Sequence, residues 1–448
     1  MKDVAVSDSL IRPGAGAKDQ PVWAGRNLGG GRPRIDAQRG KKGTSSAPTG
    51  LWMLGLLPIV VIPFENQLKF DGISIAKFTV VPLLIGVLIS RPKKILETLR
   101  HPVALAFLGF ILWGALVELF HPFRDFELHS RIFQMFGFGV LMASLLSNRV
   151  VLSRTLIGLV IVCSVLSIYL IFNFYGLVRM NVLDSEQAGL ARVQAFQGMS
   201  LEANLNHIGY AVGMGAVVAL CLLLSTKKAW QRVFWAVVSI FCVTGSTITA
   251  SRGAFIAVAL AFGVILWRSL RTSVGAGKLA FAFLVVVCVY FLLPNVLSTR
   301  LSATLGGPND VAPEKQEARQ RVLSAAVNSI PEYWALGVGV GNYWEDWGVE
   351  HGFYARSARG RSTLGPHSGF FAAWIYFGLP GLLLMCATCF LAARNTPGKG
   401  DRSWSGTAIV ALLMLGLLWL AFTHDLYLKE FGFVLGLAMS SHRLKSEI

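Results

Sequence analysis

The sequence has little charge and, above all, few acidic residues. Only 15 % of its 448 residues are charged, with 24 acidic side chains against 41 lysines and arginines. Soluble domains carry about 25 % charged residues, so this chain cannot be an ordinary domain surrounded by water. The six cysteines all lie within apolar runs, so we interpret them as packing residues rather than as a disulfide scaffold. His, Cys, Asp and Glu nowhere cluster with metal-site spacing, and we expect no metal and no cofactor.

Long apolar runs take the place of charge, since 54 % of the residues are hydrophobic. A helix that spans a bilayer needs about 20 apolar residues. We therefore expect an all-α integral membrane protein with about twelve transmembrane helices. The clear runs are residues 102–120, 132–148, 156–178, 207–225, 233–251, 253–270, 279–297, 369–393 and 405–423, the weaker ones are 51–64 and 72–90, and 426–441 is marginal.

The basic residues are unevenly distributed between the two sides of these spans. Of the 41 lysines and arginines, 26 lie in the N-terminal tail and in the links that share its side. Basic links face the cytoplasm, so both termini are predicted to be cytoplasmic. The net charge of +17 then points to anionic lipid rather than to nucleic acid.

The chain divides into four parts on this reading. Residues 1–48 are rich in Gly, Ser, Pro and Arg and are predicted to form a disordered basic tail. Residues 49–297 hold transmembrane helices 1–9, and 367–448 hold helices 10–12. Between them, residues 298–366 form a large external loop with short helices, a length that is usually functional. Helical composition at 314–330 predicts one of those helices, with Pro331 ending it.

Arg252 lies between two apolar runs that leave no room for a loop. An arginine at the outer membrane boundary is costly and often marks a site, but it can also reach lipid headgroups by snorkelling. Arg319 and Arg321 precede a glycine-rich stretch, 334–343. Such glycines permit a tight turn whose N–H groups bind phosphate, or they belong to an ordinary loop with solvated arginines.

His367 stands at the outer mouth of the span 369–393. A histidine is mostly an unprotonated base at neutral pH. The alternative is a polar helix cap, for which Ser368 is the better candidate.

Taken in order, these motifs resemble those of the O-antigen ligase and polymerase superfamily. The resemblance covers roughly residues 180–395. It is carried by Ser251-Arg252-Gly253, by Arg319 ahead of Trp334-Ala335-Leu336-Gly337-Val338-Gly339, and by Pro366-His367-Ser368-Gly369-Phe370 followed by Gly378-Leu379-Pro380-Gly381.

The resemblance implies a multi-pass enzyme of the bacterial inner membrane whose active site and loop 298–366 are periplasmic. Such enzymes transfer a glycan from an undecaprenyl-diphosphate carrier to a hydroxyl of lipid A core or of another glycan. The reaction is metal-independent and inverting. His367 is implied as the general base, and Arg252, Arg319, Arg321 and Arg192 as ligands of the pyrophosphate. The partners are the carrier-linked donor, the acceptor and membrane lipids.

A transporter or flippase of lipid-linked oligosaccharide is the alternative function. It would also have about twelve spans and basic inner links. Transporters place ionisable groups deep within their spans, whereas the polar groups of this chain gather near one surface. That distribution favours an enzyme.

Overall fold

The computed structural model describes residues 51–61, 69–70, 73–174, 205–249, 251–270, 313–357, 360–398, 401, 403–423 and 426–445. Over these residues the chain is mainly helical, with two short antiparallel strand pairs. The helices are α1 Leu51–Val61, α2 Ile75–Ser90, α3 Pro92–Leu99, α4 Pro102–Leu119, α5 Phe126–Leu145, α6 Arg149–Phe174, α7 Leu205–Ser225, α8 Ala229–Ile248, α9 Arg252–Leu270, α10 Pro313–Asn328, α11 Ile330–Tyr333, α12 Val340–Asn342, α13 Gly348–Glu350, α14 Gly369–Asn395, α15 Trp404–Phe422 and α16 Lys429–Lys445. A π-helical turn spans Tyr343–Trp347, and the strands are β1 Lys69–Phe70, β2 Ile73–Ser74, β3 Tyr354–Ser357 and β4 Gly360–Thr363.

Seven of the described helices are long and apolar enough to cross a membrane, namely α4, α6, α7, α8, α9, α14 and α15. Each overlaps a predicted span, although α6 begins at Arg149, seven residues before the span predicted at 156–178. A shorter apolar helix, Phe78–Ser90, forms part of α2. The predicted tail 1–48 and the span 279–297 lie outside the described residues, and the full count of twelve stays a prediction. The protein is an integral membrane protein built from helices, as expected.

The long helices run alternately up and down, which gives the bundle two distinct ends. At one end the Arg268 guanidinium donates hydrogen bonds to the carbonyls of Pro397, Gly398 and Asp401, at 3.0–3.3 Å. We call this the basic end, because the links at residues 91–101, 146–149 and 226–228 meet there with their lysines and arginines. The opposite, loop end holds the described residues 120–125, 249, 251, 313–357, 360–368, 423 and 426–428.

The first part of the loop departs from expectation at Pro331. The prediction that Pro331 ends the helix is wrong, because α10 already stops at Asn328 and Pro331 lies in the first turn of α11. Proline suits a first turn, since the N–H that it lacks would have no helical partner there.

The membrane helix α14 is broken nine residues after its start. Gly378 has φ 68° and ψ −169°, and Pro380 follows it. Proline has no N–H, so the carbonyl of Tyr376 loses its helical donor. The N–H of Leu379 also leaves the helix and donates to the carbonyl of Trp334 at 2.8 Å. Open carbonyls within a bilayer must find donors inside the protein.

Those donors come from residues 334–341, which we call the re-entrant segment, and from α4. Three bonds close the break: Val338 N–H to Ile375 O at 2.8 Å, Gly339 N–H to Tyr376 O at 3.0 Å, and the Trp113 indole N–H to Phe377 O at 2.7 Å. The fit is close enough to require glycine at Gly337, where φ is +81° and a Cβ would overlap the carbonyl of Tyr376. The loop therefore completes the broken helix.

A second anchor holds the same segment from the other side. Glu118, in the last turn of α4, is fully buried. Its Oε1 accepts the backbone N–H groups of Asp125 at 2.7 Å and Gly341 at 2.8 Å, and its Oε2 accepts that of Val340 at 2.9 Å. A buried carboxylate is stable only with such partners, and here they tie the re-entrant segment to the α4–α5 link.

Replacing Gly378 by alanine should destabilise the protein. The positive φ alone costs an alanine about 1–2 kcal/mol, and the new Cβ would overlap the carbonyl of Ala335. We expect a clearly lower melting temperature of the purified protein in detergent. The control is Gly263→Ala in α9, where nothing lies within 4 Å of the added Cβ; this variant should be as stable as the wild type or slightly more so. Equal melting temperatures for the two variants would contradict the packing described here.

Glu118→Gln should loosen the re-entrant segment. A glutamine replaces one accepting oxygen by an NH₂ donor, which leaves at least one buried N–H unpaired at a cost of about 1–3 kcal/mol. Hydrogen–deuterium exchange at Val340 and Gly341 should become faster. The control is Glu127→Gln, which removes an exposed pair with Arg131, and such pairs contribute little. Unchanged exchange in Glu118→Gln would show that the carboxylate is not the anchor.

Candidate functional site

The site is built where the first turns of three helices meet the last turns of α15 at the loop end. These helices are α7, α9 and α14. Three contacts define the meeting point: Tyr210 stacks on Trp419 with ring centroids 4.9 Å apart, a Cβ at Gly253 would lie 3.2 Å from Cβ of Phe422, and Gly369 packs against Leu420. A helix N-terminus attracts anions, and here three lie around one helix end.

Arg252 is the first residue of α9 at this meeting point. The buried Ser251 is its N-cap, since Ser251 Oγ accepts the N–H of Ala254 at 3.3 Å. The Arg252 side chain is half-buried. A guanidinium at a helix N-terminus adds positive charge to the positive end of the helix dipole, which is unfavourable by itself. The arrangement is therefore suited to an anion that both would attract.

His367 precedes α14 at the same meeting point and has an unusual backbone. Its φ of 54° is the only positive value at a non-glycine residue in the part of the chain that the structure describes. Such a conformation costs about 1–2 kcal/mol, and strain of this kind clusters at functional sites. The turn leaves the imidazole exposed, next to the buried Pro366.

Ser368 occupies the N-cap position of α14, but its side chain makes no capping hydrogen bond. Only its carbonyl takes part in the helix, as acceptor for the N–H of Ala372 at 2.8 Å. The expectation that the Ser368 hydroxyl caps the helix is therefore wrong. The first turn of α14 keeps N–H groups that its own cap does not use.

Of the predicted arginines Arg192, Arg319 and Arg321, the structure describes the side chain of Arg321. The Arg321 guanidinium lies over the ring of Tyr354, 4.9 Å from its centroid, and its stem passes Gly352. It therefore leans on the hairpin that leads to His367. Arg319 falls within α10, but its side chain lies outside the described residues, and so does the whole of Arg192.

The glycine-rich turn does not offer its N–H groups to a phosphate. Gly337 donates to the carbonyl of Tyr333 at 3.0 Å, and the next four N–H groups bind the helix break and Glu118 as described above. The hypothesis that residues 334–341 bind phosphate through their backbone is therefore wrong. Their glycines serve the packing of the re-entrant segment.

A buried tyrosine connects the π-helical turn with the chain that delivers His367. The Tyr343 hydroxyl donates to the carbonyl of Leu364, and its ring packs on Tyr376 of α14 at 5.0 Å. Burial raises the pKa of Tyr343 well above its usual range, so the hydroxyl remains a donor. The N–H of Leu364 binds the carbonyl of Phe353 at 2.7 Å. His367 thus follows a firmly held segment.

Sequence reasoning missed two polar groupings that the structure reveals. One is Glu118, which could have been noticed as the single acid of the run 102–120. The other joins His351 Nε2 to the Glu332 carboxylate at 2.9 Å and His351 Nδ1 to the Trp347 carbonyl at 2.8 Å. Both ring nitrogens of His351 therefore face oxygen atoms of other residues. Nothing in the sequence links these distant residues.

Among the residues that the structure describes, no three His, Cys, Asp or Glu side chains come together as a metal site would require. The side chains gathered at the meeting point are basic and aromatic. They are suited to holding a negatively charged group and to accepting a proton at His367.

Residues 237–386, which are 150 of the 448 residues, match the family model described as O-Antigen ligase. The matched segment begins within α8, ends within α14 and contains Arg252, Arg319, Arg321 and His367. No curated protein matches the chain. The predicted resemblance to the O-antigen ligase and polymerase superfamily is therefore confirmed over residues 237–386.

Proposed function

We propose that this protein is a membrane glycosyltransferase that moves a glycan from undecaprenyl diphosphate to an acceptor hydroxyl on the periplasmic side. It would act either as an O-antigen ligase, with lipid A core as acceptor, or as a polymerase of O-antigen or exopolysaccharide. The observation that carries the proposal is the placement of Arg252 and His367 on two helix starts that pack against the same end of α15.

Arg252 would bind the departing diphosphate. Negative charge grows on the phosphate oxygen as the bond to the sugar breaks, and a fixed cation lowers the energy of that state. Arginine remains charged and donates two parallel hydrogen bonds to phosphate oxygens. The helix start beneath Arg252 adds to the positive potential. Arg321, Arg319 and Arg192 are proposed as further ligands, and this cationic set would make a metal ion unnecessary.

His367 would act as the general base. Its imidazole takes the proton of the acceptor hydroxyl while that oxygen attacks the anomeric carbon. The new carbon–oxygen bond forms as the carbon–phosphate oxygen bond breaks on the opposite face, so the configuration is inverted. The electron pair leaves with undecaprenyl diphosphate. A well-placed base contributes roughly 10²–10⁴-fold to the rate.

The expected position of the site in the membrane suits this chemistry. Arg252 begins a candidate spanning helix at the loop end, and we expect it at the depth where a lipid-linked diphosphate has its headgroup. The basic end lies opposite, and the bias of basic links assigns that end to the cytoplasm. We therefore place the reaction on the periplasmic face of the bacterial inner membrane, with both termini cytoplasmic.

Replacing His367 by alanine should abolish glycan transfer, because the acceptor proton would have no base. The measurement is electrophoresis of surface glycan from a deletion strain that expresses the variant at the wild-type level. We expect a loss of at least about 10²-fold in product. The control is His101→Asn at the basic end, where the side chain caps α4 and asparagine can still do so. Normal product from His367→Ala would end the proposed role.

Charge and geometry at Arg252 can be separated by two substitutions. Arg252→Ala should lower transfer by about 10²–10³-fold, and Arg252→Lys should retain a small part, since lysine keeps the charge but not the two-pronged geometry. Donor glycan should accumulate on the carrier lipid, measured by mass spectrometry. Arg154→Ala, an exposed arginine over Trp52, is the control and should be fully active. Full activity in Arg252→Ala would contradict diphosphate binding by this residue.

A reconstituted system distinguishes the enzyme from a flippase. Purified protein in vesicles should join glycan to acceptor when donor and acceptor are on the same side. Crossing of the bilayer without bond formation would favour the transporter instead. In a deletion strain, short surface chains would indicate a polymerase, and full-length chains left on the carrier would indicate a ligase.

A further inference from the structure

The π-helical turn Tyr343–Trp347 exposes three consecutive side chains that the proposed chemistry does not use. Trp344 is 38 % exposed, and Glu345 and Asp346 are exposed as well. The residue before them, Tyr343, is fully buried. The turn therefore presents an indole and two carboxylates side by side to the solvent. π-Helical turns are rare, and they occur often at functional sites.

We propose that Trp344, Glu345 and Asp346 bind sugar residues of the acceptor glycan. This inference rests on the proposed function and adds to it the subsite that recognises the acceptor. The ligand class is a hydroxyl-rich oligosaccharide near the end that carries the reacting hydroxyl.

The chemistry of the three side chains suits a sugar. One face of a pyranose ring presents C–H groups that pack on an aromatic surface such as the Trp344 indole, which offers a large contact area at low entropic cost. Sugar hydroxyls then donate to carboxylates in short, charge-assisted hydrogen bonds. An indole beside two carboxylates therefore provides both kinds of contact.

The negative charge of the turn favours binding of the acceptor over binding of the diphosphate end of the donor. Glu345 and Asp346 are acidic, and they would repel a diphosphate that Arg252 attracts. The loop end thus offers an anion-binding helix start at Arg252 and an acidic aromatic surface on the π-helical turn. The two substrates of the proposed reaction differ in the same way, since only the donor carries a diphosphate.

The turn lies within reach of His367. Thr363 Oγ1 donates to the carbonyl of Trp344 at 3.3 Å, and His367 follows Thr363 by four residues, which span at most about 14 Å. The Tyr343 hydroxyl donates to the carbonyl of Leu364, the residue that follows Thr363. A bound oligosaccharide of a few sugar units covers such a distance, so its terminal hydroxyl can reach the imidazole.

The backbone of the turn is held before any ligand arrives. Tyr343 packs edge-on against Trp344 at 5.3 Å and against Phe353 at 5.4 Å. Gly348 fits between Thr363 and the carbonyl of Tyr343, where a Cβ would overlap both. A prearranged surface binds without the cost of ordering a loop.

Direct binding tests the subsite without catalysis. The protein is the full-length chain in detergent carrying His367→Ala, and the probe is the oligosaccharide released by mild acid from the surface polysaccharide of the source strain. Saturation-transfer difference NMR should detect its sugar protons. Trp344→Ala and the double variant Glu345→Gln, Asp346→Asn should each weaken binding by about tenfold or more. The double variant keeps the side-chain shapes and guards against a folding defect.

Matched controls remove one group of each kind elsewhere. Trp230→Ala removes an indole that is 66 % exposed at the start of α8, and Glu350→Gln removes an exposed carboxylate from α13. Both should bind the oligosaccharide as the parent does. Equal binding by the subsite variants and these controls would overturn the proposal, and so would a parent protein that binds no oligosaccharide at millimolar concentration.

Kinetics with active protein provide the second readout. The subsite variants should raise KM for the acceptor, with kcat and KM for the lipid-linked donor nearly unchanged. A rise confined to the donor KM would place the donor on this surface and overturn the assignment. These outcomes differ from a failure of the proposed function, which would appear as normal glycan from the His367 and Arg252 variants in cells.

Discussion

The break in α14 has to be closed by donors from within the protein, because a bilayer supplies none. The re-entrant segment meets this demand with the N–H groups of Val338 and Gly339, and Trp113 of α4 meets the rest. Since Glu118 binds the next two N–H groups, the loop is joined to α4 and α14 at once. The segments on either side of this junction are held in place by it. Arg321 leads into it through α10, and His367 follows from it through Tyr343 and the β3–β4 hairpin.

Around this junction, electrostatics differ between the two ends of the bundle. At the basic end, Arg268 donates hydrogen bonds to three backbone carbonyls of the link between α14 and α15, so its charge is structural. At the loop end, Arg252 stands on a helix start that gives it no electrostatic benefit. The same residue type thus bonds to backbone carbonyls at one end of the bundle and stands on a positive helix start at the other.

Much of the architecture could be predicted from the sequence, because each spanning helix is recorded in its own apolar run. The three-residue link before Arg252 followed from run lengths alone, and the order of Arg252, Arg319 and His367 pointed to the matched family. The rest depends on contacts between distant segments. The glycines of 334–341 looked like a phosphate turn, whereas their N–H groups close a helix break some 40 residues away in the chain. Pro331 was predicted to end a helix, whereas it lies in the first turn of α11. A proline interrupts a helix that precedes it but is tolerated in the first turn of a helix that follows. The hydrogen bonds of Glu118 could not be predicted from hydrophobic periodicity, because periodicity describes a single helix and these bonds join α4 to a distant loop.

The double anchoring of the re-entrant segment has a consequence for which parts of the chain can vary. Its backbone bonds separate the exposed turns of the loop from the packing of the membrane helices. Substitutions of exposed side chains such as Glu345 or Asp346 alter none of the bonds that close the break in α14. The outer face of the loop can therefore change in sequence while the embedded part of the chain keeps its packing.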